Sequence, residues 1–201
     1  ALNMSEYYLR FLATILIFGI FALGYNLLHG HTGLVSFGHA GFFVIGAYAG
    51  ALTLKWVVSN VWLGLLMSLV VSAAYGLIVG LTAGRIRGIY FALVTLAFSM
   101  PPYIMIRGPM VALTRGHEGI QFPYPPPFFF DLRDHRLFLF FSIGAFIITY
   151  LALRLIINSA FGDCLRCIRD NETKLAGLGY NTARIKYLAV TISGAISGFA
   201  G

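Results

Sequence analysis

The sequence predicts an all-α protein, a polytopic bundle of transmembrane helices, and three observations carry that prediction. Of its 201 residues, 59% are hydrophobic and only 10% charged, against about 25% charged in soluble domains, so most of the surface does not face water. Long apolar stretches recur, each near the roughly 20 residues that cross about 30 Å of hydrocarbon. Of the 14 lysines and arginines behind the net charge of +7, all but Arg10 and Arg154 lie between those stretches, as basic loops beside membrane spans do. They do not form the water-facing basic patch that a nucleic-acid partner requires.

The first span covers 7–28. A glycine- and histidine-rich segment, 29–41, precedes an apolar run over 42–54. The third span, 61–83, places Gly76, Gly80 and Gly84 on one helical face, and Gly46/Gly50 and Gly194/Gly198 repeat that spacing. Small residues four apart let a second backbone approach closely, which predicts tight helix packing. The fourth span, 89–106, contains Pro101-Pro102, where a kink or an early stop is expected. Residues 107–136, with Pro123, Pro125, Pro126 and Pro127, are too irregular to cross lipid and read as an extracytoplasmic loop. A fifth span covers 137–157, with Arg154 placed to snorkel. Residues 158–186 are charged and amphipathic, and a sixth span begins near Tyr187 and runs into Gly201. The expectation is one transmembrane domain over 1–201, with about five spans and the start of a sixth, as a fragment of a longer chain. The first apolar run is too long for a secretory signal, and no small-residue cleavage site follows it.

Alternating the spans puts Arg85, Arg87, Arg154, Arg166, Arg169, Lys174, Arg184 and Lys186 on one side. Arg10, Lys55, Arg107, Arg115, Arg133 and Arg136 fall on the other. Eight against six makes the side holding 158–186 the cytoplasmic one.

Within that loop, Phe161, Leu165, Ile168, Leu175 and Leu178 recur near helical period and form an apolar stripe. Asp163, Arg166, Arg169, Asp170, Glu172 and Lys174 fill most of the remainder, and Gly177 and Gly179 stop the helix. Such a helix either lies on the membrane interface or docks its stripe into a groove of a cytoplasmic partner. Cys164 and Cys167 form one C-x-x-C. A zinc site needs further ligands and a redox site a βαβ setting; neither is nearby, and the pair reads as two helical thiols.

Four ordered segments resemble branched-chain amino acid ABC transporter permeases, and more narrowly their LivM-type subunit. They are Gly162-Asp163-Cys164-Leu165-Arg166-Cys167-Ile168-Arg169-Asp170-Asn171-Glu172 with Leu178-Gly179-Tyr180-Asn181; Gly33-Leu34-Val35-Ser36-Phe37-Gly38-His39-Ala40-Gly41; Gly88-Ile89-Tyr90-Phe91-Ala92-Leu93-Val94-Thr95; and Leu113-Thr114-Arg115-Gly116-His117-Glu118-Gly119. The small-residue run 193–201 also matches. The chain departs from the family pattern at Arg115-Gly116-His117, where two glycines and a small polar residue are usual, and near Lys174-Leu175, where alanines are.

The resemblance implies a multi-pass importer subunit of a bacterial or archaeal cytoplasmic membrane, with 158–186 as a cytoplasmic coupling loop that carries a coupling helix. Its implied partners are a second homologous permease subunit, two ABC ATPase subunits and a periplasmic or lipoprotein substrate-binding protein. No lysine here follows the glycine that a phosphate-binding loop requires, so ATP and Mg belong to the ATPase subunits and this chain binds no cofactor of its own. The coupling residues are expected to be Gly162, Arg166, Arg169, Glu172 and Gly179, with Ile168 and Leu175 as apolar anchors in the partner.

Irregular backbone at membrane depth is tolerated where it lines a cavity, which makes 29–41 the favoured pathway segment. Asn26, Ser36, Gly38, His39 and Thr95 are its candidates, although Ser, Thr and Asn also simply hold helices together. His39 stands out because an ionisable group within a span is costly. Glu118 is a candidate for gating at the outer mouth. Urea or short amides are the alternative substrates within the family. An intramembrane protease lacks a nucleophile elbow or oxyanion hole. An ion-coupled secondary transporter needs buried carboxylates, whereas all seven acids lie at span ends or in loops. Composition leaves a passive channel open.

Overall fold

The computed structural model describes residues 6–57, 60–86, 88–114, 119–120 and 134–201, and every regular element among them is helical. Arg87 and much of the expected outer loop, including Glu118, lie outside the described residues. The order is α1 (Glu6–Asn26), a π-helical turn (Leu27–Thr32), α2 (His39–Trp56), α3 (Val61–Ala83), α4 (Ile89–Arg107), the short α5 (Val111–Thr114), α6 (His135–Ile157), α7 (Ala160–Gly177) and α8 (Thr182–Ala200). Among the described residues, four helices are long and apolar enough to cross a membrane: Glu6–Thr32, Val61–Ala83, Ile89–Arg107 and His135–Ile157.

Several helix starts follow from local chemistry. The side chains of Asn60, Asp134 and Asn181 accept from the backbone N–H of Trp62, Arg136 and Arg184, satisfying donors that an unfinished first turn leaves free. At one end of the bundle, Arg10 Nε donates to His135 Nε2 at 3.1 Å, and Trp62 meets Phe141 edge-on. At the opposite end Lys186 Nζ donates to the carbonyl of Ile86 at 3.2 Å. The turn after α3 and the start of α8 therefore share a side, as span alternation predicts.

α8 occupies the centre, against α1, α2 and α3. The small-residue faces make this possible. A Cβ on Gly76 would meet Thr191 Cα at 3.1 Å, and one on Gly46 would fall 1.9 Å from the Gly198 carbonyl. The spacing read from the sequence is thus where backbones touch. Most large apolar residues elsewhere, such as Phe140, Ile148 and Leu155, point outward, as lipid-facing side chains do.

Three expectations change. The segment 29–41 is not irregular throughout: α1 continues as the π turn to Thr32, only 33–38 lacks helix, and α2 starts at His39. Of the kink or early stop expected at Pro101-Pro102, the early stop does not occur, and α4 runs through both prolines. Pro102 has no N–H for the carbonyl four residues before it, and that carbonyl, of Phe98, accepts the Tyr75 hydroxyl instead. Finally, the apolar stripe of α7 faces the protein's own bundle. Leu165, Ile168 and Leu175 are buried while Leu178 is exposed, so Ile168 and Leu175 are not free to anchor a partner. A helix lying across the ends of apolar spans hides its stripe on the nearest apolar surface, which here is intramolecular.

Candidate functional site

The site is a seam where the head of α2 meets α1, α4 and α8. The chain leaves the π turn through Gly33, whose φ of 71° is left-handed, a conformation that glycine adopts without a Cβ clash. It re-enters the bundle over 34–38. Thr95 fixes that return, accepting from the Phe37 N–H at 3.2 Å and donating to the Ala92 carbonyl at 2.8 Å. Gly38 is required by contact: a Cβ there would lie 2.0 Å from the Thr95 carbonyl oxygen.

His39 is buried at the first position of α2. Phe21, Tyr25 and Phe42 surround its ring edge-on, with centroids 5.0 to 6.0 Å away. Its Nε2 lies 2.8 Å from Ser193 Oγ, and that hydroxyl donates to the Gly24 carbonyl. A hydroxyl has one proton. With that proton given to Gly24, Ser193 must accept from His39 Nε2–H, which leaves Nδ1 of the neutral ring as an acceptor. That Nδ1, Ser36 Oγ and Ser197 Oγ are buried without a hydrogen-bond partner among the described residues. Ser193 stands eleven residues into α8, about 16 Å from its start, so this polar cluster lies deep within the bundle.

The structure joins Ser36, Gly38, His39 and Thr95 in this seam. Asn26 stands apart, exposed on α1 with its amide against Gly30. A cavity of about 450 Å³ lies among α1, α2, α3, α6 and α8, bordered by Ile20, Tyr48, Ser68, Phe141 and Ser142. It is mainly apolar and includes none of the predicted pathway residues.

On α7, Gly162 is buried, and a Cβ there would strike the Ile157 carbonyl at 2.0 Å. Arg166 pairs with Asp163 at 3.3 Å and reaches the Ile157 carbonyl at 3.4 Å. Arg169, its side chain 48% exposed, pairs with Asp170 at 3.5 Å and donates to the Gly30 carbonyl at 2.8 Å. Glu172 turns inward, to Lys186 at 2.9 Å. Gly179 has a left-handed φ of 87° in the exposed turn before α8. Cys164 and Cys167 are free thiols.

Ser193, Gly24 and the Lys186–Glu172 pair were not singled out from the sequence. The signal for Ser193 was faint: Ser193 and Ser197 are four apart beside Gly194 and Gly198, a pattern that packing alone also produces.

The family model for the branched-chain amino acid transport system permease component matches residues 7–201. The LivM permease protein of the high-affinity branched-chain amino acid system of Salmonella typhimurium is 31% identical over 92% of this chain and 49% of its own length. Its Escherichia coli counterpart gives the same figures. A probable LivM permease of Methanocaldococcus jannaschii is 26% identical over 84% of this chain and 51% of its own. The chain thus spans about half the length of the curated relatives it matches. No solved structure matches it. With its lipid-facing helices and a match that runs nearly end to end, this multi-pass membrane protein belongs to the branched-chain amino acid transport permease family.

Proposed function

We propose that this chain is a membrane-spanning subunit of an ATP-binding cassette importer that moves branched-chain amino acids across the cytoplasmic membrane. ATP and Mg are handled by two partner ATPase subunits. A second, homologous permease completes the pathway, and a substrate-binding protein delivers cargo to the opposite face, where Glu118 is the candidate gate. The observation that carries this reading is α7, a charged helix fastened by Leu165, Ile168 and Leu175 with Asp163, Asp170 and Lys174 left exposed. That polar flank, with Arg166 at its rim, is the surface a motor subunit grips. Gly162 and Gly179 let the helix lie close and turn sharply, while Ile168, Leu175, Arg169 and Glu172 pass its displacement to the spans.

The pathway runs past the seam of Ser36, Gly38, His39 and Thr95, with Asn26 nearer its inner end. Unpartnered polar atoms at that depth favour a cargo that hydrogen-bonds, as an amino acid does.

Co-purification tests the reading. The full-length permease, expressed with its partners, retains an ATPase and supports uptake of leucine, isoleucine or valine. Reversing one exposed charge of that flank by Lys174→Glu releases the ATPase. Transport with no ATPase bound would overturn the proposal, and a binding protein that takes urea or amides in place of amino acids would reassign the cargo.

A further inference from the structure

We propose that Arg169 is a positioning residue acting within this chain: it ties α7 to the π-helical end of α1 and, through that end, sets the seat of His39. This rests on the reading of α7 as the helix that a motor moves, and it replaces the partner contact that the sequence suggested for Arg169.

The hydrogen bond from Arg169 Nη1 to the Gly30 carbonyl joins residues 139 apart in the chain. Its acceptor is a leftover of the helix end. In a continuing α-helix the Leu34 N–H would bond to Gly30, but here Leu34 bonds to the Leu28 carbonyl at 3.1 Å, as Gly33 also does. The Gly30 carbonyl thus needs an outside donor, and the guanidinium supplies one. The backbone is moulded to that side chain, since a Cβ on Gly33 would come within 2.8 Å of Arg169 Cγ.

Two links run from the π turn to His39. His29 stacks on Tyr25 at 5.6 Å, and the Tyr25 ring meets His39 edge-on at 5.0 Å. Six residues before Gly30, about 9 Å along the helix, the Gly24 carbonyl holds Ser193, which holds His39 Nε2. A π turn contains a wider ring than the α-helix beside it and marks a place where register can change. Fixing or freeing its Gly30 carbonyl therefore alters what both links present to His39.

α7 is also divided. Asn171, with φ −161° and ψ 92°, interrupts the helix, and its side chain accepts from the Lys174 N–H to cap the second piece. Arg169 fastens the first piece to α1. Glu172 fastens the second, through Lys186, to α8 and the turn after α3. Motion of the first piece thus reaches α1 without passing through α8.

Hydrogen exchange and transport on the full-length permease test this, using Arg169→Ala, Arg169→Gln and Arg169→Lys. Arg169→Ala speeds amide exchange about tenfold in 27–34 and also in 36–42, the scale set by one charged hydrogen bond, while 182–190 is unchanged. Arg169→Gln behaves similarly, and Arg169→Lys, which keeps the charge, falls between. In the assembled complex, Arg169→Ala lowers substrate moved per ATP hydrolysed about tenfold, again one charged hydrogen bond, with ATPase retention unaltered. Faster exchange confined to 27–34 overturns the link to His39. Loss of the ATPase with exchange unchanged overturns the inference by making Arg169 a partner contact, and leaves the proposed function standing. If the native complex neither holds an ATPase nor transports, the proposed function falls, and exchange in 36–42 alone decides the link.

Discussion

The Lys186 ammonium lies 2.9 Å from the Glu172 carboxylate inside the protein, with the lysine side chain 1% and the glutamate 16% exposed. A charge that deep is tolerable only when paired and hydrogen-bonded, and Lys186 achieves both by also donating to the Ile86 carbonyl. The pair fastens the second piece of α7 where the turn after α3 meets α8.

Removing one partner should therefore cost more than removing both. Lys186→Met removes the buried ammonium from beside the Glu172 carboxylate and destabilises by about 3 kcal/mol. Lys186→Met with Glu172→Leu recovers much of that loss. Denaturant titration in mixed micelles reads the difference, and equal losses in the single and double variants would contradict the pairing.

Tyr75 and Pro102 form a second testable couple. Tyr75→Phe leaves the Phe98 carbonyl without a donor and costs about 1–2 kcal/mol. Pro102→Ala restores an N–H for that carbonyl, so Tyr75→Phe should be nearly harmless in that background. A double-mutant cycle measures this coupling; additive effects would mean that Tyr75 does not repair the proline gap.

At the seam, Ser193→Ala leaves the buried His39 Nε2–H unpaired and takes a hydroxyl donor from the Gly24 carbonyl. The expected loss is about 2 kcal/mol, with a fall in transport in the assembled complex. Ser193→Thr keeps the hydroxyl and should retain most of both. If Ser193→Ala melts and transports like the native protein, the His39 seat has been misread.

Glycines at helix contacts should separate sharply from those in open space. Gly46→Leu forces α2 off α8 and should prevent a stable bundle, because its first side-chain atom alone would overlap the Gly198 carbonyl. Nothing lies within 4 Å of a Cβ on Gly144, so Gly144→Ala should be neutral or more stable by up to about 1 kcal/mol. Yield and melting of the two variants check this, and equal behaviour would refute the α2–α8 packing.

Much of the fold was legible because it is written locally. The apolar stretch 61–83 coincides with α3, and 137–157 lies within α6, since hydropathy over some 20 residues is a property of the segment alone. The faces of Gly76/Gly80 and Gly46 proved to be backbone contacts for the same reason. The head of α2 was less legible. Glycines and histidines at 29–41 read as broken structure, whereas the π turn absorbs 29–32 and His39 opens a helix. Of the candidate site, Ser36, Gly38, His39 and Thr95 came together, because Gly38 must pass under the Thr95 carbonyl. Asn26 did not join them.

By itself the sequence determined an all-α membrane bundle, the faces on which helices approach, and a charged helix after the span at 137–157. These depend on composition and on spacings of a few residues. Only the tertiary structure decided that the stripe of α7 turns inward, that Tyr75 serves the carbonyl left by Pro102, that Arg169 takes the Gly30 carbonyl of the π turn, and that Ser193 orients His39. The hydrogen-bonded partners in those relationships stand 23, 139 and 154 residues apart. No local pattern encodes which of many similar carbonyls and hydroxyls will meet, because that choice is made by how the helices pack.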